Sequence, residues 1–424
     1  MAFSDGFLWG AATAAHQVEG DNVDSDFWAL EHAANSPFAQ PSGEACDHYR
    51  LFRQDIALLA GLGFNSYRFS IEWARVEPVD GQVSQTALAH YREVLQACHH
   101  AGMTPVVTLH HFSSPSWLQR LGGWEYEGTP DRFAAYCRTV MSELGDLIPY
   151  VCTINEANIG RVIRRIIAGG GEGRRPAVEQ APVGLDARAA DVSAENPEAA
   201  RSATAPPDMA GVFLFSFSDT AFEIITRAHT AARQVIREVS PDTEVGLTLA
   251  LQDVQTLPGG ERLAAETWAE LFEDFLPAMA GDDFLGVQNY SRIRVGPDGV
   301  AAAPEGAELT QMGYEFYPQA LGNVLRRCAA AGLPLMVTEN GLATDDDERR
   351  VEFIQSALEG VEGALAEGID VRGYLHWSAL DNFEWMHGYR PKFGLIAVDR
   401  ATQHRTVKES ARHLGAIARR NALR

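Results

Sequence analysis

The chain predicts a single (β/α)8 TIM barrel spanning residues 1–424, with its active site at the C-terminal strand ends. Three observations carry this. Eight short β-forming runs alternate with helix-period segments along the 424 residues, and such alternation implies a parallel sheet. Several runs stop abruptly in polar or aromatic residues, as buried parallel strands do when they deliver side chains to one rim. An open doubly wound sheet, the competing architecture, usually carries a glycine-rich phosphate loop after its first strand; neither GxGxxG nor GxxxxGK[ST] occurs.

The first strand is Phe7 to Ala12, followed by Gln17 and Glu19. A helix over Asp47 to Gly61 repeats Tyr49, Phe52, Ile56, Leu59 and Ala60 at helical spacing, with Asp47 as its cap. The strand Asn65 to Ile71 leads to a helix from about Thr86 to Ala101, then the strand Thr104 to Leu109, ending in His110-His111. Asp131 to Gly145 is helical, and Tyr150 to Ile154 is a strand ending in Asn155-Glu156. From about 169 to 210 the chain turns rich in Ala, Gly, Pro and charge and poor in large apolar residues. It reads as a surface insertion, with a wall over the site as the functional alternative because it follows Glu156. A long helix to about Glu238, the strand Glu244 to Leu249, a helix over Glu261 to Ala280 and the strand Phe284 to Tyr290 follow. A helix over Glu315 to Ala331, the strand beginning at Leu335, a helix over Glu348 to Glu367, the strand Val371 to Trp377 and a helix over Ser410 to Ala422 complete the pattern.

Composition excludes several function classes. The net charge of -22 argues against nucleic acid and anionic membrane surfaces as partners. No run approaches the ~18 apolar residues of a membrane span, and no secretory signal pattern is expected in MAFSDGFLWG. The five scattered cysteines form no CxxC, and read as reduced thiols of a cytoplasmic protein. His110 and His111 are adjacent, so a strand would point them to opposite faces; with no HxH or HExxH, no metal is expected. No cofactor is implied either.

The strand ends supply Gln17, Arg68, His111, Asn155 with Glu156, Tyr290, Glu339, and Trp377 followed by Glu384. Glu339 closes a buried apolar run, where a carboxylate is costly unless paired or hydrogen-bonded. Glu156 and Glu339 end the fourth and seventh strands, nearly across a barrel mouth from one another. Two facing carboxylates suit glycoside hydrolysis, one attacking the anomeric carbon and the other protonating the leaving oxygen. Sequence spacing leaves retention and inversion both open.

Thr153-Ile154-Asn155-Glu156 and Thr338-Glu339-Asn340-Gly341 resemble the paired motifs of glycoside hydrolase family 1, the retaining β-glucosidase and β-galactosidase family. FLWGAATAAHQVEG from Phe7, the stretch from Ala45 to Pro78, GGW at 122–124 and GYLHWSALDNFEWMHGYRPKFGL from Gly373 extend the resemblance over most of the chain. It implies Glu339 as nucleophile, Glu156 as acid and then base, and Tyr290 and Arg68 beside the nucleophile. It further implies Gln17, His111, Asn155 and Glu384 on the sugar hydroxyls, with Trp124, Trp377 and Trp385 around the sugar. Arg68 and Tyr290 would favour the ionised form of Glu339, whose charge would raise the pKa of Glu156.

Three positions depart from the family's pattern: Ala157 for proline, Phe112 for tryptophan, and Gln288-Asn289-Tyr290 for Asn-Tyr-Tyr. The expected partner is a small β-glycoside (glucoside, galactoside or fucoside), and a homo-oligomer is possible. The alternatives are a catalytically silent sugar-binding relative, a transglycosidase and a 6-phospho-β-glycosidase; the Glu384 carboxylate argues against the last, since it would repel a phosphate.

Overall fold

A computed structural model describes residues 3–169 and 209–424. The expected insertion at about 169–210 lies almost wholly outside the described residues. Eight parallel strands close into a barrel: β1 (Leu8–Ala12), β2 (Ser66–Ser70), β3 (Thr104–His110), β4 (Tyr150–Ile154), β5 (Glu244–Ala250), β6 (Phe284–Gln288), β7 (Leu335–Asn340) and β8 (Val371–Trp377). Each pairs with its neighbour in sequence, and β1 pairs with β8 from Leu8 opposite Gly373 to Ala12 opposite Trp377. This is the predicted (β/α)8 architecture.

The strands are buried on both faces, which explains their near-continuous apolar character. Alternate side chains enter different cores. On β3, Val106 joins Leu8, Cys152, Phe284, Met336 and Leu375 in one apolar cluster. Val107 and Leu109 pack instead in the larger core, with residues of the surrounding helices. Polar side chains follow the inner cluster toward the strand ends, where Arg68, Thr108, Asn155 and Glu339 are all buried.

Helix starts follow capping chemistry. Ser84, Ser218 and Asp346 each accept a backbone N–H of the first turn. Asp47 does not. It sits at the start of the helix His48–Leu62 with φ of 50° and makes no capping bond; its carboxylate instead accepts from Arg50 Nε at 2.7 Å.

Several elements differ from the sequence expectation. The segment expected as one helix over Glu261 to Ala280 is split into Glu261–Leu271, a 3-10 turn Glu273–Phe275 and a short helix Leu276–Met279. Pro277 lacks the N–H that a continuous helix would need there. The helix expected from Glu315 runs from Ala320 to Cys328, with a 3-10 turn over Ala329–Ala331. Pro318 disfavours helix before it, and Glu315 is held in a bridge with Leu309. A helix over Ile159–Gly169 and a three-stranded side sheet of Asp253–Thr256, Arg292–Gly296 and Gly299–Ala301 were not anticipated. The Pro297-Asp298-Gly299 turn between the last two strands is a hairpin signal.

Candidate active site

Glu339 is carried into the barrel mouth by an irregularity in β7. Register shifts fall between Val337 and Glu339 against β6, and between Val337 and Asn340 against β8. Bulges re-aim side chains in this way beside functional sites. Close packing fixes the next turn. A Cβ on Gly341 would lie 1.9 Å from the Trp377 carbonyl oxygen. Asn340 donates to the Asn289 carbonyl at 2.6 Å and accepts from the Tyr374 hydroxyl at 2.9 Å.

Both oxygens of Glu339 are occupied. Arg68 Nη1 donates to one at 2.6 Å and the Tyr290 hydroxyl donates to the other at 2.5 Å. Arg68 is fully buried, and its Nη2 donates to Asn155 Oδ1 at 2.5 Å. Gln288 Nε2 donates to the same amide oxygen at 2.8 Å. With Oδ1 so engaged, the Asn155 amide must present Nδ2 outward, and that nitrogen is buried without a protein partner.

Glu156 is held by its backbone. It adopts φ of 45°, in the left-handed region that favours glycine. Its N–H donates to Thr248 Oγ1 at 2.9 Å, and Ala157 N–H donates to the Thr248 carbonyl at 3.0 Å. Asn158 ties the same turn to β5: it donates to the carbonyls of Ala250 and Leu271 and accepts from Ala250 N–H. Ala157, where the family usually has proline, thus uses its N–H on the anchor. The fifth strand, which supplied no rim residue in the sequence reading, contributes Thr248.

Electrostatics separate the two carboxyls. Burial raises Glu339 above the usual range, while the Arg68 guanidinium and the Tyr290 hydrogen bond oppose that rise. The expected bias toward ionisation is therefore present but is outweighed by desolvation. Glu156 is driven well above the carboxylate range by burial first, then by the charge of Glu339, with Arg68 opposing. Burial also pushes Glu384 up to about 8, with the charge of Glu339 adding and bonds from Gln17 and Trp377 opposing. Burial, with Arg68 and His110 nearby, drives His111 well below its usual value, so its ring is neutral.

Glu156 and Glu339 line one cavity with His111, Tyr290, Trp377, Glu384 and Trp385; Phe112, Tyr314 and Phe393 complete it. The His111 ring stacks on Trp377 at 5.7 Å between centroids. Gln17 Nε2 donates to the Phe383 carbonyl at 2.8 Å and reaches Glu384 at 3.4 Å, leaving its Oε1 buried without a partner. One ring nitrogen of His111 is also buried and unpartnered. The site thus offers a free acceptor on Gln17 and a free donor on Asn155 beside flat aromatic walls, a set suited to a ring with apolar faces and a hydroxyl rim.

Trp124 is not part of this lining. It is fully buried, donates through its indole to Ser114 Oγ at 3.0 Å, and packs on His110, Phe133 and Phe213. Like Gln17 and Asn155, it sits just behind the residues that line the cavity. Tyr314, Phe393 and Thr248 were missed: the first two sit in irregular segments without periodicity, and Thr248 is one threonine within a strand. Among the described residues no group of three or more His, Cys, Asp or Glu could hold a metal ion.

A second, larger cavity of about 880 Å³, including its open mouth, adjoins the first and shares Glu156, Tyr290 and Tyr314 with it. A closed parallel barrel with two carboxyls at its mouth, one paired with arginine and one not, belongs to the class of carbohydrate-cleaving barrels.

Comparisons narrow the class. The family described as glycosyl hydrolase family 1 matches residues 1–169 and 286–423. The crystal structure of beta-glycosidase BGL167 is 51% identical, superposes with a TM-score of 0.87, and is matched over 99% of this chain and 98% of that one. The bifunctional beta-D-glucosidase/beta-D-fucosidase of Bifidobacterium breve is 30% identical over 97% of this chain and 96% of its own length. Beta-glucosidase A of Thermotoga maritima is 28% identical over 99% of this chain and 98% of its own. The chain belongs to glycosyl hydrolase family 1. No described helix is long and apolar enough to cross a membrane.

Proposed function

We propose that the chain is a retaining, exo-acting β-glycosidase of the β-glucosidase type, acting on neutral β-glucosides, β-galactosides or β-fucosides. The observation that carries this reading is the asymmetric pair of carboxyls on one cavity. Glu339 is paired with Arg68 and Tyr290; Glu156 has no cationic hydrogen-bond partner among the described residues and is raised further. Family membership and relatives named β-glucosidase and β-glucosidase/β-fucosidase support the substrate class.

In the first step a Glu339 oxygen attacks the anomeric carbon. The bond to the leaving oxygen breaks, its electron pair stays on that oxygen, and the Glu156 proton neutralises it. Glu339 is now an ester and carries no charge, so the force raising Glu156 weakens. In the second step Glu156 takes a proton from water, the water oxygen attacks the anomeric carbon, and the ester bond returns its electrons to Glu339. Two inversions at one carbon give retention. Asn155 Nδ2, Gln17 Oε1, His111 and Glu384 hold the glycone hydroxyls, and Trp377 and Trp385 flank it. Glu156 borders both cavities, which suits an acid at the junction between glycone and leaving group.

The test is a panel of 4-nitrophenyl β-glycosides (gluco, galacto, fuco, manno, glucurono, 6-phospho). Cleavage of the gluco, galacto or fuco substrates, with product anomer retained by NMR, is expected; cleavage of none would favour a silent sugar-binding protein. We also infer one barrel domain and a cytoplasmic location, the latter supported by five cysteines that are all free and buried.

A further inference from the structure

We propose that the leaving-group side of the site takes an apolar aglycone bearing an anionic group, and not a second sugar. The proposal rests on the glycosidase reading above. The second cavity adjoins the Glu339 pocket through the shared Glu156, Tyr290 and Tyr314, and Val162, Leu251, Leu271, Ile293, Val300 and Ala301 form an aliphatic part of its wall. No tryptophan lines it among the described residues, and its aromatic side chains are Tyr290 and Tyr314 on the shared wall. A second pyranose would bring several hydroxyls into this space, and each one buried without a partner costs binding energy. Among the described residues, Gln252 and Gln288 are the lining side chains whose buried amide oxygens lack partners, enough for one or two donors.

The charged lining groups are unevenly satisfied. Arg292 makes two bonds to Glu315, at 2.9 and 2.6 Å. Arg165 is held by Glu270 at 2.7 Å. Arg294 has no carboxylate partner among the described residues: it donates to the Ala302 carbonyl at 2.6 Å, and its Nε is buried without any acceptor. Of the lining carboxyls, Glu315 is already paired and Glu156 carries a proton in the resting state. Arg294 is therefore the lining guanidinium without a carboxylate partner among the described residues, beside that aliphatic wall, and its forked donors fit a carboxylate. The overall charge of -22 opposes an anion at long range, but screening within about 8 Å at physiological salt leaves the local guanidinium to decide.

The experiment compares kcat/KM for octyl β-glucoside, cellobiose, and a series of ω-carboxyalkyl and ω-carbamoylalkyl β-glucosides of four to ten carbons. Within each acid and amide pair the leaving oxygen is chemically equivalent. Wild type, Arg294→Met and Arg294→Lys are measured alongside 4-nitrophenyl β-glucoside. Octyl glucoside is expected to exceed cellobiose although octanol is the poorer leaving group. At the best chain length the acid is expected to exceed the amide by about tenfold, falling to about parity in Arg294→Met and partly restored in Arg294→Lys. Cellobiose matching or exceeding octyl glucoside overturns the proposal, as does an acid-to-amide ratio that Arg294→Met leaves unchanged. Either failure with 4-nitrophenyl β-glucoside still cleaved leaves the glycosidase reading standing; failure to cleave any glycoside overturns both.

Discussion

Replacing Thr248 by valine tests how Glu156, the proposed acid, is held. Thr248 is fully buried, accepts the Glu156 N–H at 2.9 Å and donates to the Ile154 carbonyl at 3.2 Å. Valine keeps the branched shape and deletes only the hydroxyl. The Glu156 N–H is then buried without a partner, at a cost of about 1–3 kcal/mol. The residue already bears left-handed strain of roughly 1–2 kcal/mol at φ of 45°. The least costly relaxation is for Glu156 to leave that conformation, which moves its carboxyl from the leaving oxygen. At about 1.4 kcal/mol per tenfold, the bond alone translates to roughly five- to hundredfold. We expect that loss in kcat/KM for alkyl β-glucosides, which need protonation, and a loss of less than about threefold for 2,4-dinitrophenyl β-glucoside, which does not. Thr248→Ser should recover most of the alkyl activity. Equal losses on both substrates, or no loss on either, would refute the reasoning.

Further outcomes are expected. Glu339→Gln should nearly abolish turnover with the circular dichroism spectrum unchanged, while Glu156→Ala should impair alkyl glycosides far more than activated aryl ones; comparable losses would count against the acid role. The pH profile of kcat/KM should be bell-shaped with both limbs above ordinary carboxyl values, because Glu339 must be ionised and Glu156 protonated and burial raises both. Arg68→Met removes an opposing charge, so the acidic limb should move to higher pH. Asp26 is raised by burial to about 7, so the fold favours its protonated form and loses stability as pH climbs from about 4 to 7. Asp26→Asn should therefore melt higher than wild type at pH 8, with the gap closing toward pH 5. Gly341→Ala sets a Cβ 1.9 Å from the Trp377 carbonyl, and thermal melting should show a loss of at least about 1–3 kcal/mol.

The barrel was legible because each strand is a short apolar run followed by a helix-period segment, a pattern that depends only on local alternation and two-sided burial. Glu156, Glu339 and the rim residues were legible because they follow those runs directly. What escaped notice depends on contacts distant in sequence. Thr248 looks like any strand threonine until β5 lies beside the Asn155-Glu156 turn. The contacts of Trp124 with His110 and Ser114 likewise join segments that the sequence pattern does not connect. Glu315 has helical propensity, and its bridge with Leu309 and pairing with Arg292 are contacts that the local pattern does not show. Asp47 is a sound capping residue by type, yet Arg50 takes its carboxylate.

The guanidinium of Arg68 bridges Glu339 and the Asn155 amide, and in the proposed mechanism this has a consequence for charge conservation across the catalytic cycle. Before reaction the cation is balanced by Glu339, and Glu156 is neutral. In the glycosyl-enzyme Glu339 is an ester, the departed proton has left Glu156 anionic, and the cation is balanced from across the pocket. The sum over these three groups is zero at both resting points. A buried, low-dielectric pocket can tolerate that exchange because no net charge enters or leaves it. Arg68 thus serves as a fixed counter-ion whose partner alternates between the two glutamates, and the same neutrality lets the site reset when water completes the second step.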